Sequence, residues 1–419
     1  MRELLGLNLR HLDAIGVIGQ VGSMSAGARQ VSLSQPALAQ AVSKVERLVG
    51  KRLFEREPGG MVPTAAGRML MTRIERAFRY LVQGVRLARR SARLAPLTHI
   101  ERRITLAQLR ALIAVESTSS YALAARQIGL SQPGVHRAVR DLEECLGTAL
   151  FVRVGRSVRP SDSASRFVRF ARLMLAELRA GLEELEALDA TGGGRIELGT
   201  LPMARVVFLP ELLSQFMTAH PAAQVHVVEA PYGELLNALR QGDIDLFMGG
   251  ALRDPAPTND IVQEDLFEDE PVVVGSANHP LRHKKNLSPT DLLSFPWIIP
   301  AHGVPMRANW ERMFRSRGVE PPKVRIECGS MLIARGLILK GEWLTLMARD
   351  QIQLELTAGA LAEIEAPGEV LRRRIVLTRR HDWRPTPLQA DLVEMAHRLA
   401  SLRSPSCPQQ RARERIGSG

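Results

Sequence analysis

The chain contains a second version of one of its own segments. Shifted by 97 residues, residues 9–63 lie on residues 106–160 without a gap, and about 19 of those 55 positions are identical. The densest stretch, Ala28-Arg29-Gln30-Val31-Ser32-Leu33-Ser34-Gln35-Pro36, returns as Ala125-Arg126-Gln127-Ile128-Gly129-Leu130-Ser131-Gln132-Pro133. Further on, Leu53-Phe54-Glu55-Arg56 returns as Leu150-Phe151-Val152-Arg153, and Pro63 as Pro160. Two copies are too few for a solenoid, so this is a duplicated domain, and the fold must hold one small unit twice.

Leu9, Leu12, Ile15 and Val17 of the first copy fall near one face of a helix, and residues 25–31 form a second, short one. Ser34 is placed to cap a third helix, with Pro36 in its first turn, where a missing N–H costs nothing. Leu38, Val42, Val45 and Leu48 give that helix a buried stripe, and Gly50 stops it. Leu53-Phe54 returns as a strand, residues 58–60 turn, and Met61-Val62 comes back. The unit reads as helix, helix-turn-helix and two-stranded wing, with the polar start of the third helix free to enter a major groove. Charge agrees: residues 1–194 hold 29 Lys and Arg against 17 Asp and Glu, whereas residues 195–419 hold 27 of each. A basic half joined to a neutral half suits a polyanion-binding part and a separate one.

The run from Ala28 to Leu38, Leu53-Phe54-Glu55-Arg56 and Pro63-Thr64-Ala65-Ala66-Gly67 resemble the N-terminal domain of LysR-type transcriptional regulators, from which the chain departs by its second unit. The resemblance implies DNA contacts at Ser34, Gln35, Pro36, Ala37, Gln40 and Lys44, with wing residues Arg52 and Arg56. In the second copy they are Ser131, Gln132, Pro133, His136, Arg137 and Arg140, with Arg153, Arg156 and Arg159. Where the family often has Arg, the first copy has Gln40; the second keeps Arg137. Gln and Arg read base edges bidentately, while Ser, Lys and wing Arg hold phosphate. Each unit leads into a long helix with a wide apolar stripe, at residues 64–93 and 163–188, with arginines on other faces of the first. In the family such helices pair two subunits; packing on the chain's other copy is the alternative.

From residue 195, short apolar strands alternate with helical patterns, which predicts an α/β domain with mostly parallel sheets. The expected fold is an α/β C-terminal domain, two-lobed and like a periplasmic binding protein, preceded by two mainly-α winged helix-turn-helix domains with long linker helices. The expected divisions are 5–63 and 104–162 for the winged units, 64–95 and 163–190 for the linker helices, 195–400 for the two-lobed domain and 401–419 for a flexible tail, with Gly192–Gly194 as hinge. A ligand belongs in the cleft, at strand C-terminal ends and helix N-termini. That places Thr200, Leu201, Pro202, Met203, Pro231, Tyr232, Gly249 and Gly250 on one lobe, and His302, Gly303, Gly329 and Ser330 on the other. Thr200 and Ser330 suit a polar or anionic ligand beside free helix N–H groups, or simply cap helices. The segment from Leu201-Pro202 to Thr378–Pro385 is similar to a LysR-type subgroup that includes regulators of sugar uptake, which implies a sugar effector; an aromatic or small organic acid is the equal alternative.

Three cysteines give no disulfide framework and the first residues are charged, so a cytoplasmic protein without signal peptide or membrane span is expected. No motif for nucleophilic or metal catalysis occurs; no enzyme activity, cofactor or metal is expected. Asp243 and Asp245 read as structural, and Cys328 as a small hydrophobe rather than a redox thiol. The resulting expectation is a ligand-responsive regulator, a homodimer or homotetramer that binds double-stranded DNA and meets RNA polymerase. The alternatives are an architectural DNA-binding protein whose C-terminal domain only oligomerises, and a solute-binding protein, which the basic N-terminal half opposes.

Overall fold

The computed structural model describes residues 7–31, 33–58, 60–96, 99–155, 157–188, 193–201, 207–251, 259–366 and 372–403. The first unit comprises α1 (Leu9–Val21), α2 (Met24–Gln30), α3 (Gln35–Val49), β1 (Phe54–Glu57), β2 (Gly60–Pro63) and the long α4 (Ala65–Ser91). The same order recurs as α5 (Leu106–Thr118), α6 (Tyr121–Ile128), α7 (Gln132–Leu146), β3 (Phe151–Val154), β4 (Ser157–Pro160) and α8 (Asp162–Glu186).

The repeat is kept down to individual hydrogen bonds. Ser34 and Ser131 accept from the backbone N–H three residues on, at 3.3 and 3.2 Å, and so cap α3 and α7. A glutamate late in each of those helices, Glu46 or Glu143, accepts from the backbone N–H of Leu53 or Leu150 (2.8 and 2.7 Å) and ties helix to wing. The returning wing strand is pinned to the end of the first helix, Met61 N to Gly22 O and Val158 N to Ser119 O (2.9 and 3.0 Å). The hydroxyls of Thr64 and Ser161 close each wing by donating to the carbonyls of Arg52 and Ala149.

The long helices α4 and α8 pack on each other within the chain, running antiparallel. Leu70, Ile74, Ala77, Leu81, Val85 and Ala88 of α4 and Phe167, Phe170, Met174, Leu178, Leu182 and Leu185 of α8 share one core with the first unit. The apolar stripes that suggested pairing between subunits are thereby covered by the chain's own other copy. The expectation that arginines keep to other faces of α4 also fails. Arg73 is 1% exposed and ion-paired to Glu177 (2.8 Å) and Glu184 (2.5 Å) of α8. Buried Arg89 donates to the carbonyls of Leu146 (2.6 Å) and Ala95.

The C-terminal domain has two lobes. In the first, β5 (Arg195–Thr200), β6 (Gln224–Glu229), β7 (Leu246–Gly250), β8 (Ile261–Asp269) and β14 (Arg373–Arg380) form a sheet of order β6-β5-β7-β14-β8, with α9 (Phe208–Ala219), α10 (Tyr232–Gln241) and α15 (Pro387–Ser401). The second carries β9 (Pro271–Ser276), β10 (Ile298–Ile299), β11 (Ile326–Glu327), β12 (Thr345–Ala348) and β13 (Leu361–Ile364), with α11 (Pro289–Leu293), α12 (Pro305–Arg315), α13 (Met331–Ile338) and α14 (Gln353–Thr357). The chain crosses between lobes after β8 and again before β14.

The sheets are mixed rather than mostly parallel. β5 runs parallel to β6 and β7, but β14 pairs antiparallel with both β7 and β8, and β9 antiparallel with β12 and β13. Two crossings between lobes return strands in the opposite sense, which a repeated βαβ pattern does not anticipate. Gly193 and Gly194 lead directly into β5 and are packed there: a Cβ on Gly194 would come within 2.8 Å of Leu388; Gly192 lies outside the described residues. The tail beyond residue 403 lies outside them as well.

Head and first lobe are tied together by polar contacts. Arg73 donates to the carbonyls of Arg384 (3.0 Å) and Pro385, Arg76 to that of Asp382, and Tyr80 OH to Asp382 Oδ2 (2.5 Å). Arg172 of α8 bridges Glu116 of α5 (2.9 Å) and Asp243 of the lobe (3.0 Å). Asp245, buried in the lobe, accepts from Glu197 N, the structural role expected of it.

Candidate nucleic-acid interface and ligand cleft

The recognition surfaces follow from the repeated unit. Leu38, Val42 and Val45 anchor α3 in the core and leave Ser34, Gln35, Pro36, Gln40 and Lys44 exposed, with Ala37 half-buried. Ser25 Oγ donates to Gln35 Oε1 (3.2 Å), which steadies one amide at the tip. Arg52 and Arg56 are exposed in the adjoining wing.

In the second unit Val135, Val139 and Leu142 hold α7, and Ser131, Gln132, Pro133, His136, Arg137 and Arg140 are exposed. Tyr121 stacks on His136 with ring centroids 3.7 Å apart and planes 14° apart. Together with Gln132, Pro133, Arg137, Arg140 and Glu143 they line a concavity of about 670 Å³. Burial pushes the Tyr121 phenol up to about 12, so it stays a neutral stacking partner. Among the described residues Arg140 makes an exposed pair with Glu144 at 3.5 Å, a contact that phosphate can replace. Arg153 and Arg159 are exposed on the wing; Arg156 lies outside the described residues. Sequence reasoning missed Tyr121; an aromatic heading the helix before α7 was the available signal.

The ligand residues fall into two groups, one on each lobe. On the first, Leu201 N donates to Met248 O (3.0 Å) and its side chain lies over Gly249, where a Cβ would come within 2.4 Å of it. Thr200 is 2% exposed and its hydroxyl donates to Leu201 O (3.1 Å). The next helix among the described residues, α9, begins at Phe208, and residues 202–206 lie outside the described residues. Tyr232, at the start of α10 after Pro231, packs edge-on against Phe247 (5.5 Å), and its buried hydroxyl has no partner among the described residues. Gly250 ends β7. Pro202 and Met203 lie outside the described residues.

On the second lobe, His302 and Gly303 follow β10 and are exposed. Arg307 Nη2 donates to His302 Nε2 (3.1 Å), and the same guanidinium pairs with Glu311 (2.8 Å) and Glu327 (3.3 Å). Its hydrogen bond holds the Glu311 carboxyl below the usual range. Arg307, a nearly buried cation at the head of α12 held by two carboxylates, is a residue the sequence pattern did not single out. Ser330 caps α13 by accepting from Ile333 N (3.5 Å), and Cys328 Sγ accepts from Ser330 N. Among the described residues no group of His, Cys, Asp and Glu could hold a metal ion, and no helix is long and apolar enough to cross a membrane.

These surfaces meet known proteins at matching positions. The family of bacterial regulatory helix-turn-helix proteins of the lysR family matches twice, at residues 9–68 and 106–165, and the LysR substrate binding domain matches residues 190–401. The chain belongs to the LysR family. It is a DNA-binding transcriptional regulator with a substrate-binding domain, not an enzyme. The HTH-type transcriptional regulator GalR of Pseudomonas putida is 30% identical over 387 residues, 92% of this chain and 96% of that protein. GbpR of Azospirillum brasilense is 29% identical over 262 residues, 62% and 76% of the respective chains. A full-length OxyR variant of Pseudomonas aeruginosa superposes with a TM-score of 0.54 at 19% identity, and CbnR with 0.51 at 21%. These two cover 98% and 99% of their own chains but only 71% and 70% of this one, and they support the fold. LysR-type regulators bind DNA and small-molecule effectors and form oligomers.

Proposed function

We propose that this LysR-type regulator reads double-stranded DNA with both recognition helices and is controlled by a small polar effector, a sugar or small organic acid, held between the lobes. The observation that carries the DNA reading is the display of two capped helices whose exposed faces bear Gln35, Gln40 and Lys44 in one, and Gln132, His136, Arg137 and Arg140 in the other. Glutamine and arginine amides and guanidinia match purine edges, while Arg52, Arg56, Arg153, Arg156 and the N-cap serines Ser34 and Ser131 suit phosphate. In the cleft, Tyr232 supplies a hydroxyl, His302 a ring nitrogen and Ser330 the N-terminal end of α13, with Thr200, Leu201, Gly250 and Gly303 forming the walls. Effector binding acts on the head through the contacts of α4 and α8 with the first lobe, and the regulator works as a homodimer or homotetramer in contact with RNA polymerase.

The test is binding of the full chain to duplexes selected from a random pool, at fixed physiological salt. Gln35→Ala/Gln40→Ala and Arg137→Ala/Arg140→Ala variants should each lose specific affinity. A variant that binds like wild type removes that copy from base reading. Thermal stabilisation in a screen of sugars and organic acids tests the cleft; a chain that no such compound stabilises, with binding that shows little sequence preference, fits an architectural protein instead.

A further inference from the structure

The helix pair at the centre of the head is symmetric in a way that neither copy shows alone. A Cβ on Gly84 of α4 would come within 2.7 Å of the Phe170 Cβ of α8, and one on Gly181 of α8 within 3.0 Å of the Arg73 Cβ of α4. The 97-residue shift carries Gly84 onto Gly181 and Arg73 onto Phe170. The two close approaches are therefore one contact seen twice, exchanged by a local dyad. It passes between residues 78 and 79 of α4 and between 175 and 176 of α8.

A dyad that exchanges two antiparallel helices stands normal to the plane containing them, so whatever lies on one face of the pair stays on that face. The two recognition helices thus face the same side. The last carbonyl of α7, Leu146 O, is held by Arg89 of α4, and α3 meets α8 in the corresponding way. Arg89 lies about ten residues from the dyad. At 1.5 Å per residue the C-terminal ends of α3 and α7 are held roughly 32 Å apart along the pair, on the order of one turn of B-DNA.

The pairing is also specified against its homotypic alternatives. The partners of Arg73 are Glu177 and Glu184, whose counterparts in α4 are Tyr80 and Leu87, and the counterpart of Arg73 in α8 is Phe170. Pairing α4 with α4 would bury two arginines without carboxylates, and pairing α8 with α8 would bury the glutamates without an arginine. Removing one partner of a buried ion pair is strongly unfavourable.

We infer that a single chain is a complete two-headed DNA reader, which occupies one dyad-type operator alone and recognises two unlike half-sites about one helical turn apart. The half-sites differ because exposed positions differ between the helices: Ala39 against His136, Gln40 against Arg137, Ser43 against Arg140 and Lys44 against Asp141. The inference rests on the proposed base reading by both copies.

The test is stoichiometric and uses the full wild-type chain. A duplex holding one site, selected by the chain from a random pool, is titrated well above its dissociation constant, and complexes are counted by native mass spectrometry or sedimentation. One chain per duplex is expected, whatever oligomer the C-terminal domains form, because each head takes its own duplex. Palindromes built from either half-site alone should bind at least about tenfold more weakly, since each wrong base pair costs roughly 1–3 kcal/mol, or 5- to 150-fold. Two chains per single-site duplex, or tighter binding to a palindrome, overturns the inference and leaves the regulator reading intact. No enriched sequence at all would remove the base reading itself, and the inference with it.

Discussion

Replacing Arg73 by methionine should destabilise the head more than any other single change away from the apolar core. The guanidinium is 1% exposed and serves Glu177 and Glu184, themselves 9% and 4% exposed. Glu177 retains Arg76 at 2.8 Å, but Glu184 would keep a buried charge with no cation, and its second oxygen already lacks a partner among the described residues. Breaking a buried pair from one side costs about 3–5 kcal/mol. The loss is recoverable, because Leu87 occupies in α4 the position that Glu184 occupies in α8. Arg73→Met with Glu184→Leu should return to within about 1–2 kcal/mol of wild type, which makes the pair strongly coupled in a double-mutant cycle. Urea denaturation followed by far-UV circular dichroism reads the helical head. All four tryptophans lie beyond residue 296, so their fluorescence follows the two-lobed domain separately. A cost below about 1 kcal/mol for Arg73→Met would refute the idea that this ion triad fixes the helix pair.

Gly84→Ile forces a branched side chain against the Cβ of Phe170; a cost of about 1–3 kcal/mol is expected, and an unchanged urea midpoint would contradict the close approach. Ser119 adopts φ 52° at the turn where the first copy has Gly22 at φ 68°, so Ser119→Gly should stabilise by about 0.5–1 kcal/mol, which thermal unfolding can check. Glu183, near Asp245 at the junction of head and lobe, is pushed up to about 7, first by burial and then by that carboxylate. Its native pKa exceeds its unfolded one, so ionising it weakens the fold as pH rises through 7, and the penalty vanishes below the unfolded value of 4.5. Glu183→Gln should therefore raise stability at pH 8, by up to about 3 kcal/mol, and change little at pH 4.5; equal effects at both would count against the assignment. Arg153→Ala should weaken binding to all sequences alike and reduce the salt slope by about 1, whereas a sequence-dependent loss would make it a base reader.

Most of the head was legible because its signals are local and occur twice. Ser34 and Ser131 with their following prolines mark the helix starts, Gly50 and Gly147 the stops, and the shared Leu-Phe pair the wing. What covers the long helices was not legible, because periodicity shows an apolar stripe without naming its partner. Arg73 looked like a surface charge until Glu177 and Glu184, over 100 residues away, were placed beside it. In the two-lobed domain, Ile196, Leu198 and residues 272–275 are apolar enough to read as buried strands, but β8 carries Gln263, Glu264, Asp265, Glu268 and Asp269 and was missed. It borders the sheet beside β14, where its carboxylates pair with Arg373, Arg374 and Arg379. The antiparallel return of β14 depends on the second crossing between lobes, which no local pattern encodes. Among ligand residues, the two groups follow from strand ends, while Arg307 becomes visible only once α12 is set beside His302 and Glu327.

In the proposed reading, one chain presents two recognition helices to one face of the DNA. A hydroxyl-radical footprint of the full protein on the promoter region adjoining its own coding sequence, at physiological salt, tests this most directly. Two protected patches on the same face of the duplex, one helical turn apart, are predicted, with Gln35→Ala/Gln40→Ala erasing one and Arg137→Ala/Arg140→Ala the other. A footprint in which both variants weaken the same patch, or in which one leaves protection unchanged, would contradict it.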